Sequence, residues 1–418
     1  MKKLLAILLA VVMVVAAAVV MTGCQPEAPK AHKHAVADGA AVEFKAWDGK
    51  AITEEGTYNL YLDADVNGAA QLIFGDPTAE EPVEITINLC LNGHNWNSEV
   101  RVARLCDGVT LNICNCSNTE AKVCGKGDKM NARGGTFEVD AAAELNIYKG
   151  VNLTADNSAQ RINYAGVVLL KGKMGIYGAT VTGVDVPRIA NDNGAANTST
   201  GQGGAISILT GGELYMKDGI IKDGTACTGA NVRMEPESKF TMENGEIYNG
   251  YAKFYYFNEA PSGGNGAGVF VESATFIMKG TAKIYNNKVD GKAAVICNGG
   301  NCVVEMYDSA SIVNNTSTHE TFGAGMHYAK GDGVLKVSGS VKIENNTNAS
   351  GKSNVLFYTP GAFVTVLDGL TADANIGISV RDNTAGKVAD KAIDDVFFAD
   401  SDACQLVKVD GTWELAAK

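Results

Sequence analysis

The stretch GAGVFVESATFIMKGTAKIYNN (266–287) carries the unit whose recurrence decides the fold. It opens on small residues, runs through a short apolar strand, breaks, alternates again at Phe276 and Met278, meets Gly280, and ends on a third apolar pair followed by asparagine. The same line reads as GGAISILTGGELYMKDGIIKDG (203–224), GANVRMEPESKFTMENGEIYNG (229–250), AAVICNGGNCVVEMYDSASIVNN (293–315) and GAGMHYAKGDGVLKVSGSVKIENN (323–346). Equivalent apolar positions fall at Ile206, Val232, Val269, Val295, Met326 and Val355, with weaker copies at Phe137 and Val167. Pairs such as Leu214 with Met216, Phe240 with Met242 and Leu335 with Val337 have the period of two that belongs to strands. Strands this short cannot bury a face alone, and two-residue hairpin signals between units are scarce. Winding each unit into a coil and stacking the coils lets parallel ladders form between them. The expected architecture is all-β: a right-handed parallel β-helix with an amino-terminal cap and a carboxy-terminal capping hairpin. Leucine-rich repeats would show an LxxLxL strand and a propeller four antiparallel strands per blade, and neither pattern is present.

The asparagines that end the units, Asn249, Asn287, Asn315 and Asn346, stand where a coil turns. Stacked amides there form a hydrogen-bonded ladder along the axis, or else serve as turn residues that tolerate a left-handed backbone. Working outward, residues 41–130 form the cap and first coils, 131–395 the β-helix and 396–418 the terminal cap. Asp410-Gly411 between two apolar runs is the hairpin signal that covers the last open edge.

At the other end, Met1-Lys2-Lys3 precedes an apolar run from Leu4 to Met21, closed by Met21-Thr22-Gly23-Cys24. This is the pattern of an export signal over 1–23. The tetrapeptide resembles the bacterial lipobox, with Met21 where leucine is usual. The resemblance implies cleavage before Cys24, lipidation of that cysteine and a body held outside the cell on the membrane, since two acyl chains give stable attachment. Residues 24–40 are then a polar tether, in which His32 and His34 are expected to be solvated.

The chain has 418 residues, 46% hydrophobic and 20% charged, enough to bury a sizeable core. Its net charge of −12 becomes −14 once Lys2 and Lys3 leave with the signal. An acidic surface without a basic cluster excludes nucleic acid as partner. Nine cysteines remain beside Cys24, five of them within 90–124. No CxxC spacing supports a metal site, so no metal or cofactor is expected. The cysteines read as small buried hydrophobes or as one or two disulfides.

FKAWDGKAITEEGTYNLYLDADV (44–66), INLCLNGHNW (87–96) and DGVTLNICNC (107–116), with the repeats behind them, resemble bacterial surface proteins of the pectate-lyase-like β-helix superfamily, among them adhesin-like molecules. Trp47 and His94 read as packing and turn residues of that cap. The resemblance, over 44 to about 380, implies the fold and little about activity, because the scaffold hosts lyases, hydrolases, adhesins and spacers.

Two stretches interrupt the repeat. VDVPRIANDNGAANTSTGQG (184–203) is polar, and GYAKFYYFNEAPSGGNG (250–266) packs Tyr251, Phe254, Tyr255, Tyr256 and Phe257 into seven residues. Insertions at one point of successive repeats map to one edge, about 10 Å apart here. That edge, with Asp185 and Arg188 beside the aromatics, is the candidate ligand-binding site. Five aromatics cannot all enter the coil interior, so some lie outside, either as a contact surface or folded onto the flank or a second copy. Lyases on this scaffold need calcium-holding aspartates beside a basic residue and hydrolases need paired carboxylates. Asp185, Arg188 and Asp192 are the nearest approach, and a solvated loop explains them. The sequence therefore leaves two functions open: a non-catalytic surface module that adheres to glycans, or to a host or neighbouring cell, and a carbohydrate-active enzyme on the same scaffold.

Overall fold

The unit 266–287 shows how local sequence makes a coil. Val269–Glu272, Thr275–Met278 and Lys283–Tyr285 are strands, and each break between or after them carries a left-handed residue: Ser273 (φ 47°), Gly280 (φ 62°) and Asn286 (φ 52°). The corner is thus set by backbone that glycine or asparagine adopts at low cost. The computed structural model describes residues 32–35, 41–127, 132–160, 162–190, 197, 199–257, 259–359 and 361–418. Cys24 and residues 1–23, where the sequence reading expects an export signal, lie outside the described residues.

Stacked coils give three long ladders of parallel strands, and the chain is a parallel β-helix. The first runs from Leu72–Phe74 through Phe137–Val139 and Val269–Glu272 to Val355–Phe357. Its register pairs Ile206 with Val232, Val232 with Val269, Val269 with Val295, Val295 with Met326, and Met326 with Val355. All six are fully buried. Upstream, Phe137 pairs with Val168, which pairs with Ile206. The sequence reading placed Val167 there, one residue early; both valines are buried, so hydropathy alone does not separate them.

The second ladder runs from Gly56–Tyr61 to Val364–Leu370 and stacks Phe240, Phe276, Val304 and Leu335 inward. The Phe240 and Phe276 rings lie 5.0 Å apart and nearly parallel. The third begins at Val66–Gly68 and continues past Lys342–Glu344. Val109–Cys114 pairs directly with Glu144–Tyr148, so the coils of 41–130 pass into those beyond without a break.

At the amino-terminal end Trp47 packs edge-on against Trp96 (5.0 Å), and His94 lies beside Asp65 in a turn. At the other end Cys404–Val409 and Thr412–Ala417 form the expected hairpin about Asp410-Gly411, and Thr412–Ala417, its inner strand, pairs antiparallel with Gly386–Ala389. The last coil therefore presents a paired edge.

A buried ladder does run along the axis. Asn231 Nδ2 donates to Asn287 Oδ1 (3.2 Å), Asn287 to Asn315 (3.0 Å), Asn315 to Asn346 (2.9 Å), Asn346 to Asn354 (3.0 Å) and Asn354 to Asp400 (2.6 Å). Asp400 accepts and has no amide left to satisfy, a suitable last rung. Asn249 is not a member. It is a left-handed corner (φ 54°) bonded to Asp223, equivalent to Asn286, Asn314 and Asn345. Gly250 occupies the next position and has no side chain to offer, so Asn231, the residue before the strand Val232–Met234, supplies the amide.

Cys297 and Cys302 form a disulfide within one coil, while Cys90, Cys106, Cys114, Cys116, Cys124, Cys227 and Cys404 are free thiols.

Candidate functional site

A narrow fourth sheet lines one flank. Asp185, Thr225, Tyr251, Lys288, Thr316 and Thr347 stack in register, one per coil, so both insertions leave the helix from the same edge. Asp185 and Tyr251 stand two rises apart, about 10 Å along the axis. The insertions nevertheless touch.

Phe254–Phe257 and Ala260–Gly263 form an antiparallel hairpin that bends back over the first insertion. Tyr255 Oη donates to Asp185 Oδ1 (3.1 Å), Lys253 Nζ pairs with Asp185 Oδ2 (2.8 Å), and Arg188 Nη1 donates to Ser262 Oγ (2.7 Å). Gly263 (φ 93°) lies so close to Cys227 that a Cβ would stand 1.8 Å from its sulfur, which fixes the root of the hairpin. Tyr251 Oη donates to Asp290 (3.0 Å), whose carboxylate also accepts from Phe254 N. Burial, then Asp290, pushes the Tyr251 phenol up to about 12, and burial pushes Tyr255 higher still.

The sequence reading is corrected at Arg188; at the aromatics, where it left a contact surface and a fold onto the flank both open, the structure favours the fold onto the flank. Arg188 is not solvated: it is 9% exposed and bonded to Thr200 O and Ser262. Of the five aromatics, Tyr251, Phe254, Tyr255 and Phe257 are half-buried against the flank, and Tyr256 alone is exposed, at 67%. Asp192 lies outside the described residues.

Farther along the same edge, residues outside that expectation gather. The sheet ends in a turn where Thr347 pairs antiparallel with Lys352. Between this turn and the short 3-10 segment Arg381–Asn383 lies a groove of about 560 Å³, lined among others by Glu320, Lys352, Tyr358, Arg381, Asp382 and Asp402. The Arg381 guanidinium lies over the Tyr358 ring at 4.3 Å. Phe322 stacks on His319 (4.0 Å) and lies 5.9 Å from Tyr358, so the aromatic surface continues toward the hairpin. Lys292, whose ammonium burial pushes down, reaches over Phe322. Sequence reasoning missed this groove because its walls come from four stretches of the chain, at 320–321, 348–358, 379–383 and 400–402. The local signal was Arg381-Asp382-Asn383, where Asp382 and Asn383 are consecutive left-handed residues that end the repeat's alternation.

The metal expectation also meets a difference. His32 and His34 are not solvated but form a strand against the first coil, where their rings approach Cys90 and Cys116.

Comparison with protein-family models, curated proteins and solved structures gives no match to this chain.

Proposed function

We propose that the protein is a lipid-anchored bacterial surface module of the pectate-lyase-like kind, which binds glycans along this flank without cleaving them. The observation that carries the reading is the groove: an aromatic face at Tyr358, a guanidinium over it, and the carboxylates of Glu320, Asp382 and Asp402 around it. Sugar hydroxyls donate to carboxylates and accept from a guanidinium, which the Tyr358 face here holds in place, and sugar rings stack on exposed aromatic faces. Tyr256 adds an exposed ring farther along the same edge. The acidic balance of the chain favours neutral over polyanionic glycans. Asp185 and Asp290, the carboxylates that contact the root of the hairpin, are engaged by Lys253, Tyr255, Tyr251 and a backbone amide. That supports a holding role for them over an acid–base pair. The anchor rests on the lipobox-like Met21–Cys24 and on the polar stretch behind it.

A glycan array probed with the exported chain tests the reading. Tyr358→Ala and Arg381→Ala should each weaken any hit at least tenfold. Tyr256→Ala should weaken it less and leave unfolding unchanged, whereas Tyr255→Phe loses the Asp185 bond at about 1 kcal/mol of stability. Release of reducing or unsaturated ends from a bound glycan, or hits indifferent to Tyr358, would overturn it.

A further inference from the structure

The strand His32–Ala35 is the sequence His-Lys-His-Ala, and in a strand residues two apart face the same way, so both imidazoles point to one side. It pairs antiparallel with Ala41–Ala46, His32 opposite Phe44 and His34 opposite Val42. The rings are held. Tyr61 stacks on His32 at 4.5 Å, and Phe44 meets His34 edge-on at 4.6 Å. In the body, Tyr61 lies in register with Cys90, the last residue of Ile85–Cys90, and Cys90 with Cys114 of the next coil. Two residues on, where the chain leaves the strand, Cys116 brings its sulfur to 3.5 Å from that of Cys90.

Four donor atoms, one from each of His32, His34, Cys90 and Cys116, thereby lie within 4.8 Å of one another. Nε2 of His32 is 3.9 Å from the Cys116 sulfur, and the two Nε2 atoms are 2.5 Å apart. A tetrahedral ion with bonds of ~2.3 Å to sulfur and ~2.0 Å to nitrogen has ligand–ligand edges of roughly 3.3–3.8 Å. The sulfur–sulfur and sulfur–nitrogen separations are close to these edges, and the nitrogens need to part by less than about 1 Å. Cys90 and His34 are buried, His32 and Cys116 half-buried, so the centre is closed on its inner side. Two thiolates and two neutral imidazoles are a borderline-soft set that suits a tetrahedral d10 ion.

We propose that His32, His34, Cys90 and Cys116 bind a structural zinc ion that clamps the end of the polar tether onto the opening coils. Two thiol protons leave as Zn(II) enters, and the two thiolates balance its charge. The clamp places a metal beside the strand Ala41–Ala46, which covers the edge of Gly56–Tyr61 at Lys45–Ala46. The open end of the solenoid is then capped by ligation, as the far end is capped by a hairpin. No adjacent-cysteine motif announces it, because the ligands arrive from a tether and two coils.

The full chain, extracted in detergent, stripped with chelator and kept reduced, is titrated with Zn(II) and with Co(II). The expected result is a single high-affinity ion per chain, with the visible bands of tetrahedral cobalt and a thiolate-to-cobalt charge-transfer band in the near ultraviolet. Cys90→Ser, Cys116→Ser and His34→Ala should each lower affinity at least a hundredfold while the β-sheet circular dichroism is retained. His34 lies outside the coils, so its replacement keeps the test independent of folding. Zinc should also shield Lys33 and Lys45 from trypsin in the wild type and not in His34→Ala. Binding no tighter than in the variants, a cobalt spectrum without thiolate bands, or a Cys90–Cys116 disulfide in protein made with ample zinc overturns the proposal.

Discussion

Asn314 and Asn315 are neighbours of one type, and the structure gives them opposite roles. Asn315 is fully buried; its amide donates to Asn346 Oδ1 (2.9 Å), Val313 O (3.1 Å) and Ile284 O (3.2 Å). Its Oδ1 accepts from both N (3.0 Å) and Nδ2 (3.0 Å) of Asn287. Truncating it to alanine strands the buried Asn287 N–H, at about 1–3 kcal/mol. The other lost bonds add about 1 kcal/mol each where no water enters, so Asn315→Ala should cost about 3–5 kcal/mol in all. Asn314 is exposed and holds a left-handed corner (φ 57°). Asn314→Ala should cost about 1 kcal/mol and Asn314→Gly almost nothing. Because coils can open piecemeal, native-state hydrogen exchange is the assay, read at the amides of Asn287 and Asn315 beside a guanidinium transition. If Asn315→Ala destabilises no more than Asn314→Ala, the ladder contributes no more than a turn, and the reasoning fails.

Val295 occupies the middle of the first ladder with no exposed surface, so Val295→Asp should cost at least ~3 kcal/mol, and wild-type unfolding by that variant would show the register to be wrong. His327 is enclosed by Phe322 and Tyr358, with Lys292 the nearby charge; burial, then Lys292, pushes it down to about 3. Its folded value lies below the unfolded ~6.5, so the unfolded chain takes up the proton first and stability falls as pH drops below about 6.5. At pH 5 the loss from this residue is about 2 kcal/mol, so the difference in stability between His327→Phe and wild type should shift by that amount from pH 7.5 to 5. Asp400, whose carboxyl burial raises, acts in the opposite sense and is common to both proteins. A shift under ~0.5 kcal/mol would place His327 in contact with water.

The coil and its inward face were legible in the sequence because both are local. Period-two apolar runs fix which side chains turn inward, and glycine or asparagine at the corners fixes where the chain bends, so Ile206 to Val355 could be aligned by inspection. The terminal hairpin was legible for the same reason. What stacking decides could not be read: whether Val167 or Val168 takes the rung, or that Gly250 breaks the asparagine column and Asn231 replaces it. These depend on which atom lies about 5 Å above another along the axis. The flank follows the same division. Composition announced an aromatic insertion, but only the folded chain lays Tyr255 on Asp185, leaves Tyr256 in solvent and assembles Tyr358, Arg381 and Glu320 into a groove. His32 and His34 looked like solvated tether because their partners, Cys90 and Cys116, are remote in sequence. They meet because a strand pairing and two coil rises bring four side chains to one point, and separation along the chain carries no trace of that.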